Sequence, residues 1–554
     1  MKEEARLALS AAFEAWASSE KIDKTGIPVS VEIPPANVAA DLASNLPMIV
    51  AKKAGKNPRK VAEEILAKLP AGVVARSEIS GPGFLNLHLS ALWLSGELKS
   101  LLEKREAYAR RPPTGEKYLI EFVSANPNGP LHVGHGRGAA LGDSLARIFR
   151  HLGLAVTAEY YINDGGNQME NLGASLMWRM EELKPGFLDA DEKADLAKRK
   201  PEDLYKGDYI IDISKAVMAK WGEKRPHGPA AFIREGIDSV LAMIRSNLEG
   251  FGVHHDSWFP ESSLHQNGAV DRALARLKER GFLDEKDGAL WFKSTSFGDD
   301  KDRVIKRADE RPTYFAADIA YHDDKFQRGF SRMIDIWGTD HHGYVKRLQS
   351  VVEALGHPSD RLTILLYQLV TLMRDGKPVA MSTRSGDFVP LQDVVDEVGR
   401  DACRFFFSLL SPQSHLKFDL ELAKKRASEN PVFYVQYVHA RCCSIFREAA
   451  KRGTIFDPAA VRAPSDLDPR ERVLLVKLAS FPDVVEQAAK ELSPHPIPNY
   501  LMSLAGEFHR FYEGCQVLGE DAGTTAFRLA LVDGVRTIIK NGLDLIGVSA
   551  PEEM

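Results

Sequence analysis

Cysteine is scarce in this chain of 554 residues: Cys403, Cys442, Cys443 and Cys515 are all there are, two adjacent and none in a Cys-x-x-Cys pair. That excludes a disulfide framework, argues against a cysteine zinc site and suits a reducing, cytoplasmic compartment. Long hydrophobic runs are also missing. The most apolar stretch, Leu362 to Met373, is interrupted by Thr and Gln and is too short for a bilayer. The start, Met1-Lys2-Glu3-Glu4-Ala5-Arg6, is too charged and acidic for a signal or transit peptide, so no membrane partner is expected. Nor is there an excess of positive charge. With 72 Lys and Arg against 77 Asp and Glu, the net charge of -5 does not mark a strongly basic nucleic-acid binder. Local basic faces on a large enzyme stay open. What is present is ordinary globular composition, 44% apolar and 27% charged, in a chain long enough for about three or four domains.

Residues 1–112 read as a small α/β domain. Leu7, Ala11, Phe13 and Trp16 suggest one stripe of an opening helix, and Val29 to Ile33 alternates as a strand before Pro34-Pro35. Pro58 to Leu69 reads as a helix, and Phe84 to Leu89 as a strand after Gly81-Pro82-Gly83. Residues 113–400 alternate strand-like and helical stretches, as a Rossmann-type parallel sheet does, with a more polar insertion at about 185–300. A connecting segment, 401–429, leads to an all-α helical bundle at 430–554. Its helix candidates are 430–451, 470–492, 499–516 and 525–545.

The densest chemistry lies at 117–153. The apolar run Tyr118 to Val123 enters the turn Ser124-Ala125-Asn126-Pro127-Asn128-Gly129-Pro130-Leu131, then His132-Val133-Gly134-His135 and a segment of helical spacing. A helix opening on two imidazoles is a site for an anion. His132 and His135 share one end of that helix, and Gly134 lets a flat base or ribose approach the backbone. Imidazole N–H groups at that end would meet charge growing on a phosphate in the transition state. Taken alone, His-x-x-His also fits two helix-capping histidines or half a zinc site. A second polar stretch, Ala380-Met381-Ser382-Thr383-Arg384-Ser385-Gly386, follows Asp375-Gly376-Lys377. Gly338-Thr339-Asp340-His341-His342 follows the strand candidate Met333 to Trp337, where open α/β sheets hold ligands. There Asp340 suits ribose hydroxyls, and one of the adjacent histidines suits a substrate contact. No Glu or Cys at ligand spacing supports zinc, and no metal site is expected.

These segments resemble the class I aminoacyl-tRNA synthetases. The stretch around Met381 is similar to the mobile Lys-Met-Ser-Lys-Ser loop of that class, which closes over ATP and places cations on the departing pyrophosphate. It departs from that pattern at Ala380 and Thr383, leaving Arg384 as the cation and Lys377 in reserve. The form Met-Ser-Thr-Arg resembles the arginyl-tRNA synthetase family. So do Ser124-Ala125-Asn126-Pro127, Tyr161 to Gln168, Thr313 to Tyr321, Asn430 to Tyr437, Asn541 to Gly547 and Gly81 to Asn86, in family order over nearly the whole chain.

The resemblance implies arginine activation by ATP with Mg²⁺, then transfer to the 2′-hydroxyl of the terminal adenosine of tRNA(Arg), by a monomer. It implies His132, His135 and Arg384 as catalytic residues, and His132, Gly134, His135, Asp340, Met381, Ser382 and Arg384 around ATP. Glu121, Ser124, Asn126, His135, Tyr314, Asp318 and His341 are implied around arginine, with Asp318 reading the guanidinium. Tyr314 and Asp318 are four apart and face the same way on a helix. Phe84 and Asn86 in the first domain, and Tyr434 and Tyr437 in the last, are implied tRNA contacts, aromatics being suited to stacking on splayed bases. Another class I synthetase, a small-molecule nucleotidylyltransferase and an RNA-binding scaffold are the rival readings. Missing zinc-ligand cysteines disfavour a cysteine enzyme, and the long helical domain disfavours a nucleotidylyltransferase.

Overall fold

The computed structural model describes all residues except 36, 380–388, 463, 465, 466 and 520. Three short strands, β1 (Leu42–Ser44), β2 (Val74–Ser80) and β3 (Phe84–Leu89), form an antiparallel sheet in the order β1-β3-β2. The opening helix Lys2–Glu20 buries Ala5, Leu9, Ala12, Phe13 and Trp16. Leu7 and Ala11, expected on that stripe, are exposed, because the i, i+3, i+4 row runs through Leu9 instead. The expected strand at 29–33 reduces to one bridge, Glu32 to Ala43, since Pro34 and Pro35 offer no N–H to continue a ladder.

The five-stranded sheet is parallel throughout. It consists of β4 (Lys117–Glu121), β5 (Ala155–Ile162), β6 (Ser257–Pro260) and, after a small antiparallel sheet of β7 (Leu283–Lys286), β8 (Ala289–Phe292) and β9 (Arg303–Lys306), of β10 (Arg332–Gly338) and β11 (Leu362–Tyr367). Its spatial order is β11-β10-β4-β5-β6. The chain runs outward from β4 through β5 to β6, then returns to place β10 on β4's other side. That reversal opens a crevice at the carboxyl ends of β4 and β10. The expected insertion at 185–300 is therefore not one piece. Its residues 257–260 are the sheet's edge strand β6, a four-residue element with too little alternation to stand out in sequence.

A further sheet, β13-β12-β14, joins β12 (Val370–Arg374), β13 (Lys377–Pro378) and β14 (Leu416–Asp419). The expected connecting segment thus contains a strand paired in parallel with β12. In the bundle, 470–492 splits into helices Pro469–Ala479 and Phe481–Lys490, with Pro482 in the first turn of the second. The next helix begins at Pro496, its prolines occupying a first turn that needs no N–H. Among the described residues, no helix is long and apolar enough to cross a membrane.

The helix Val133–His151 packs against the sheet through glycines. A Cβ on Gly138 would lie 2.8 Å from the Tyr367 hydroxyl, and one on Gly142 would lie 2.1 Å from the Phe122 ring. Phe122 has no room to retreat, being stacked on His255 at 4.2 Å. Replacing Gly142 with Ala should cost about 1–3 kcal/mol through overpacking, despite alanine's better helix propensity. Calorimetry of the variant should show a lowered first transition, and an unchanged one would refute this packing account.

Candidate active site

His132 is the N-cap of the helix Val133–His151. Its Nδ1 accepts from the Gly134 and His135 N–H groups at 3.1 and 3.4 Å, while the His132 N–H donates to His135 Nδ1 at 3.3 Å. This is a capping box made from two imidazoles, stacked 3.6 Å apart. Because both Nδ1 atoms accept, both rings carry their proton on Nε2. Burial pushes both histidines below the usual imidazole range, His135 to about 3. They are neutral N–H donors at the positive end of a helix. Gly134 serves this cap directly, because a Cβ there would meet the His132 ring at 2.9 Å. Besides the approach of a base or ribose expected there, the glycine thus makes room for His132's own ring.

Asp340 closes the other lip of the crevice, on the single turn after β10. Its carboxylate is exposed and acts electrostatically on His132. His341, expected beside arginine, is exposed and has Asp340 and the Trp337 ring as partners. Met381, Ser382 and Arg384, with Ala380 and Thr383, lie outside the described residues. The residues flanking them are fixed. Val379 donates to the Leu372 carbonyl at 2.8 Å, and the Val389 carbonyl accepts from Val133 at 3.2 Å. Leu391 donates to the Leu131 carbonyl at 2.8 Å, so the chain returns beside the signature histidines.

At the end of β4 the backbone turns through Val123 (φ 70°) and Ser124 (φ 40°), an unfavourable conformation for a β-branched residue. The turn swings the Ser124 hydroxyl onto Glu121 Oε1 at 2.9 Å, where it also accepts from the Tyr161 N–H at 3.1 Å. Glu121, expected to hold substrate, is buried, and its other oxygen receives Lys325 Nζ at 2.6 Å. It supports Ser124 from behind. Lys325 also reaches Asp335 at 2.7 Å, and His322 bridges Asp335 Oδ2 and the Asp318 carbonyl, both at 2.8 Å. Burial pushes the Asp335 carboxyl up, but Lys325 and His322 outweigh it and hold it down at about 2. Asn126 donates to Gln168 Oε1 at 2.8 Å.

Tyr314 and Asp318 stand one turn apart at the start of the helix Tyr314–Gln327. Tyr314 is exposed, and its hydroxyl lies against Gly166 (φ +77°), where a Cβ would come within 2.3 Å. Asp318 accepts from the Tyr344 hydroxyl, and burial raises its carboxyl. Sequence reasoning missed Glu261, at the end of β6. It is buried, accepts from the Tyr161 hydroxyl at 2.8 Å, and is pushed up to about 7 by burial, with Asp318 and Asp164 adding repulsion. Asp164 itself is held by Ser262 at the head of the helix Ser262–Gln266. The charge of half-buried Asp318 opposes ionisation of buried Glu261, an arrangement that a bound cation would relieve. The signal for Glu261 was its place after a sheet strand, and it was lost when β6 was absorbed into the insertion.

In the first domain, Phe84 is exposed on β3 while Asn86 is buried, so the expected pair presents its ring more than its amide. Tyr434 and Tyr437 both stack on His509, at 5.2 and 6.3 Å, and Arg441 lies 5.3 Å over the Tyr437 ring. These half-buried rings form a continuous aromatic face on two bundle helices.

Three family models tile the chain: "Arginyl tRNA synthetase N terminal domain" matches residues 2–89, "tRNA synthetases class I (R), catalytic domain" 97–406, and "DALR anticodon binding domain" 435–554. An arginine–tRNA ligase of Syntrophotalea carbinolica is 44% identical over 100% of both chains, and one of Desulforamulus reducens is 45% identical over 99% and 98%. A candidate arginyl-tRNA synthetase of Campylobacter jejuni superposes with a TM-score of 0.77 at 37% identity, over 84% of this chain and 100% of that one. The Thermus thermophilus arginyl-tRNA synthetase, 23% identical, shares the fold over 100% of both chains, with a TM-score of 0.76. The chain belongs to the arginine–tRNA ligase family of class I aminoacyl-tRNA synthetases, enzymes that use ATP to join arginine to tRNA.

Proposed function

We propose that the crevice between β4 and β10 carries both half-reactions, with ATP at the histidine end and arginine at the carboxylate end. The arginine carboxylate attacks the α-phosphorus of ATP in line, giving arginyl-adenylate and pyrophosphate. The 2′-hydroxyl of the terminal adenosine of tRNA(Arg) then attacks the activated carbonyl and releases AMP. Little covalent work falls to the protein, and catalysis rests on position and on matching developing charge. His132 and His135 donate Nε2–H to phosphate oxygens, Asp340 takes the ribose, and Arg384 with Met381 and Ser382 clamps the pyrophosphate. ATP enters as its Mg²⁺ complex, the phosphates supplying most ligands.

Asp318 and Glu261 take the guanidinium, whose several N–H groups need more than one carboxylate. Tyr314 covers it, and Ser124 and Asn126 hold the α-amino side with His135. Residues 1–112 and 430–554 grip tRNA, through Phe84 with Asn86 and through Tyr434 with Tyr437. The enzyme acts as a monomer in the cytoplasm, a setting that suits four free, buried thiols. The observation that carries this reading is the pairing, across one switch point, of neutral N-cap imidazoles with a two-carboxylate cation receptor.

Amino-acid-dependent pyrophosphate exchange across all twenty amino acids tests it. Exchange should appear with arginine alone and only when tRNA is present. Exchange with another amino acid would refute the substrate, and brisk exchange without tRNA would refute the tRNA requirement. Replacing Arg384 with Ala should lower kcat by about 10²–10³ while sparing the arginine KM. An unchanged kcat would move the clamp to Lys377.

The carboxylate end also dictates a pH profile. Glu261 gains its proton as pH falls through about 7, and bound arginine favours its charged form. Thus kcat/KM for arginine should rise toward pH 7 and level off above it. His132 and His135 cannot produce that limb, since both are held below the usual range. Glu261→Gln should erase the limb and raise the arginine KM about 10- to 100-fold. A limb that persists in the variant would remove Glu261 from the pocket.

A further inference from the structure

Each carboxylate of the proposed arginine pocket shares one oxygen with a tyrosine from another element. Tyr344, third residue of the helix His342–Ala354, donates its hydroxyl to Asp318 Oδ2. Tyr161, near the end of β5, donates to Glu261 Oε2 at 2.8 Å. Asp318 Oδ1 and Glu261 Oε1 make no hydrogen bond among the described residues. The tyrosines are themselves pinned. Tyr344 meets Phe315 edge-on at 5.9 Å and Trp337 at 6.1 Å, with the Arg347 guanidinium 4.7 Å over its ring. Tyr161 packs on Tyr321 at 4.4 Å and on Phe259 at 6.4 Å.

We propose that Tyr344 and Tyr161 are positioning residues that set the pocket's selectivity for a guanidinium over an ammonium, by fixing the rotation of Asp318 and Glu261 and leaving one oxygen of each to the substrate. The inference rests on reading those two carboxylates as the guanidinium's ligands. A phenol that cannot move holds its acceptor in one orientation. Two separate oxygens offered from β6 and from the Tyr314–Gln327 helix suit a planar fork with donors on several edges. They suit a compact point charge poorly, since an ammonium gains most from a carboxylate free to swing toward it. Phe at either position would keep the ring packing and release the carboxylate.

The same hydroxyls bear on charge. Burial pushes Asp318 up, while Tyr344, His322, Lys325 and Arg347 favour its ionised form. Burial, Asp318 and Asp164 push Glu261 up, with Tyr161 opposing them. Removing the Tyr161 hydroxyl therefore moves the acid limb, which Glu261 sets, to higher pH.

The experiment is steady-state aminoacylation by the full-length Tyr344→Phe and Tyr161→Phe enzymes, with lysine and ornithine as competing inhibitors, beside Asp318→Asn and Glu261→Gln. Each Phe variant should raise the arginine KM about tenfold, the effect of one lost charge-assisted hydrogen bond, and leave the ATP KM in place. The ratio of lysine inhibition constant to arginine KM should fall at least as far, and in Tyr161→Phe the acid limb should shift upward. Arginine KM and selectivity unchanged in both Phe variants, with the two carboxylate variants impaired, would overturn the tyrosine inference alone. An equal rise of the arginine and ATP KM values, with a lowered melting temperature, would reduce the tyrosines to packing and overturn it too. Carboxylate variants with normal arginine KM would instead remove the pocket reading beneath it. Each tyrosine gives an independent answer, so one soluble variant suffices.

Discussion

Everything at the switch point depends on Lys325. Glu121 and Asp335 are direct neighbours across the β4–β10 ladder, two buried carboxylates in the seam of a parallel sheet. Like charges opposed in a sheet are destabilising, and burial multiplies the effect. Lys325, wholly buried on the helix above, reaches both and sits 4.2 Å from the Tyr321 ring. A buried ion pair is weak evidence of stability gained, because desolvation offsets so much of the attraction. Its use here is register. The helix that bears Tyr314 and Asp318 can sit in only one place if its lysine is to satisfy two fixed carboxylates. His322, one turn earlier, repeats the constraint by tying the Asp318 carbonyl to Asp335.

That fixed helix explains the strained turn beside it. Val123 and Ser124 hold left-handed backbone angles because Glu121 is already committed to Lys325 and can take Ser124's hydroxyl only from above. Strain of this kind costs about 1–3 kcal/mol per residue and persists where neighbours over-determine the conformation. The turn then delivers the chain to His132 with the N-cap geometry that makes the imidazoles neutral donors. The two ends of the proposed site are thus tied to one ladder position.

Much of this was legible in sequence because the features were local. The strand–turn–helix at 117–153, the Tyr314–Asp318 spacing and the helical ending all follow from periodicity over a few residues. What escaped was non-local. Glu121 looked like a ligand until Lys325, some two hundred residues away, claimed it. Glu261 looked like an insertion residue, because a four-residue edge strand carries almost no alternation. Tyr344 was not singled out and Tyr161 only opened a family-like segment, because their hydroxyls gain meaning only from carboxylates on other elements. Gly134 was read as room for a ligand, and the room also serves the histidine before it. Sequence shows which groups are present, and only the fold shows which have already been spent on one another.

The loop cation is the remaining case, and chain geometry narrows it. Arg384 stands five residues from each of Val379 and Val389, whose backbones are hydrogen-bonded to Leu372 and Val133. Five residues span at most about 18 Å when fully extended. In the proposed clamp, chain length alone bounds how far Arg384 can stand from the Val389 anchor beside the His132 cap. Lys377 sits on the opposite side of the Val379 anchor, in the β12–β13 hairpin, where its backbone is held by pairing with Arg374. On the proposed reading, Arg384 is the loop residue left, beside Ala at 380 and Thr at 383, to do what the parent pattern does with lysines.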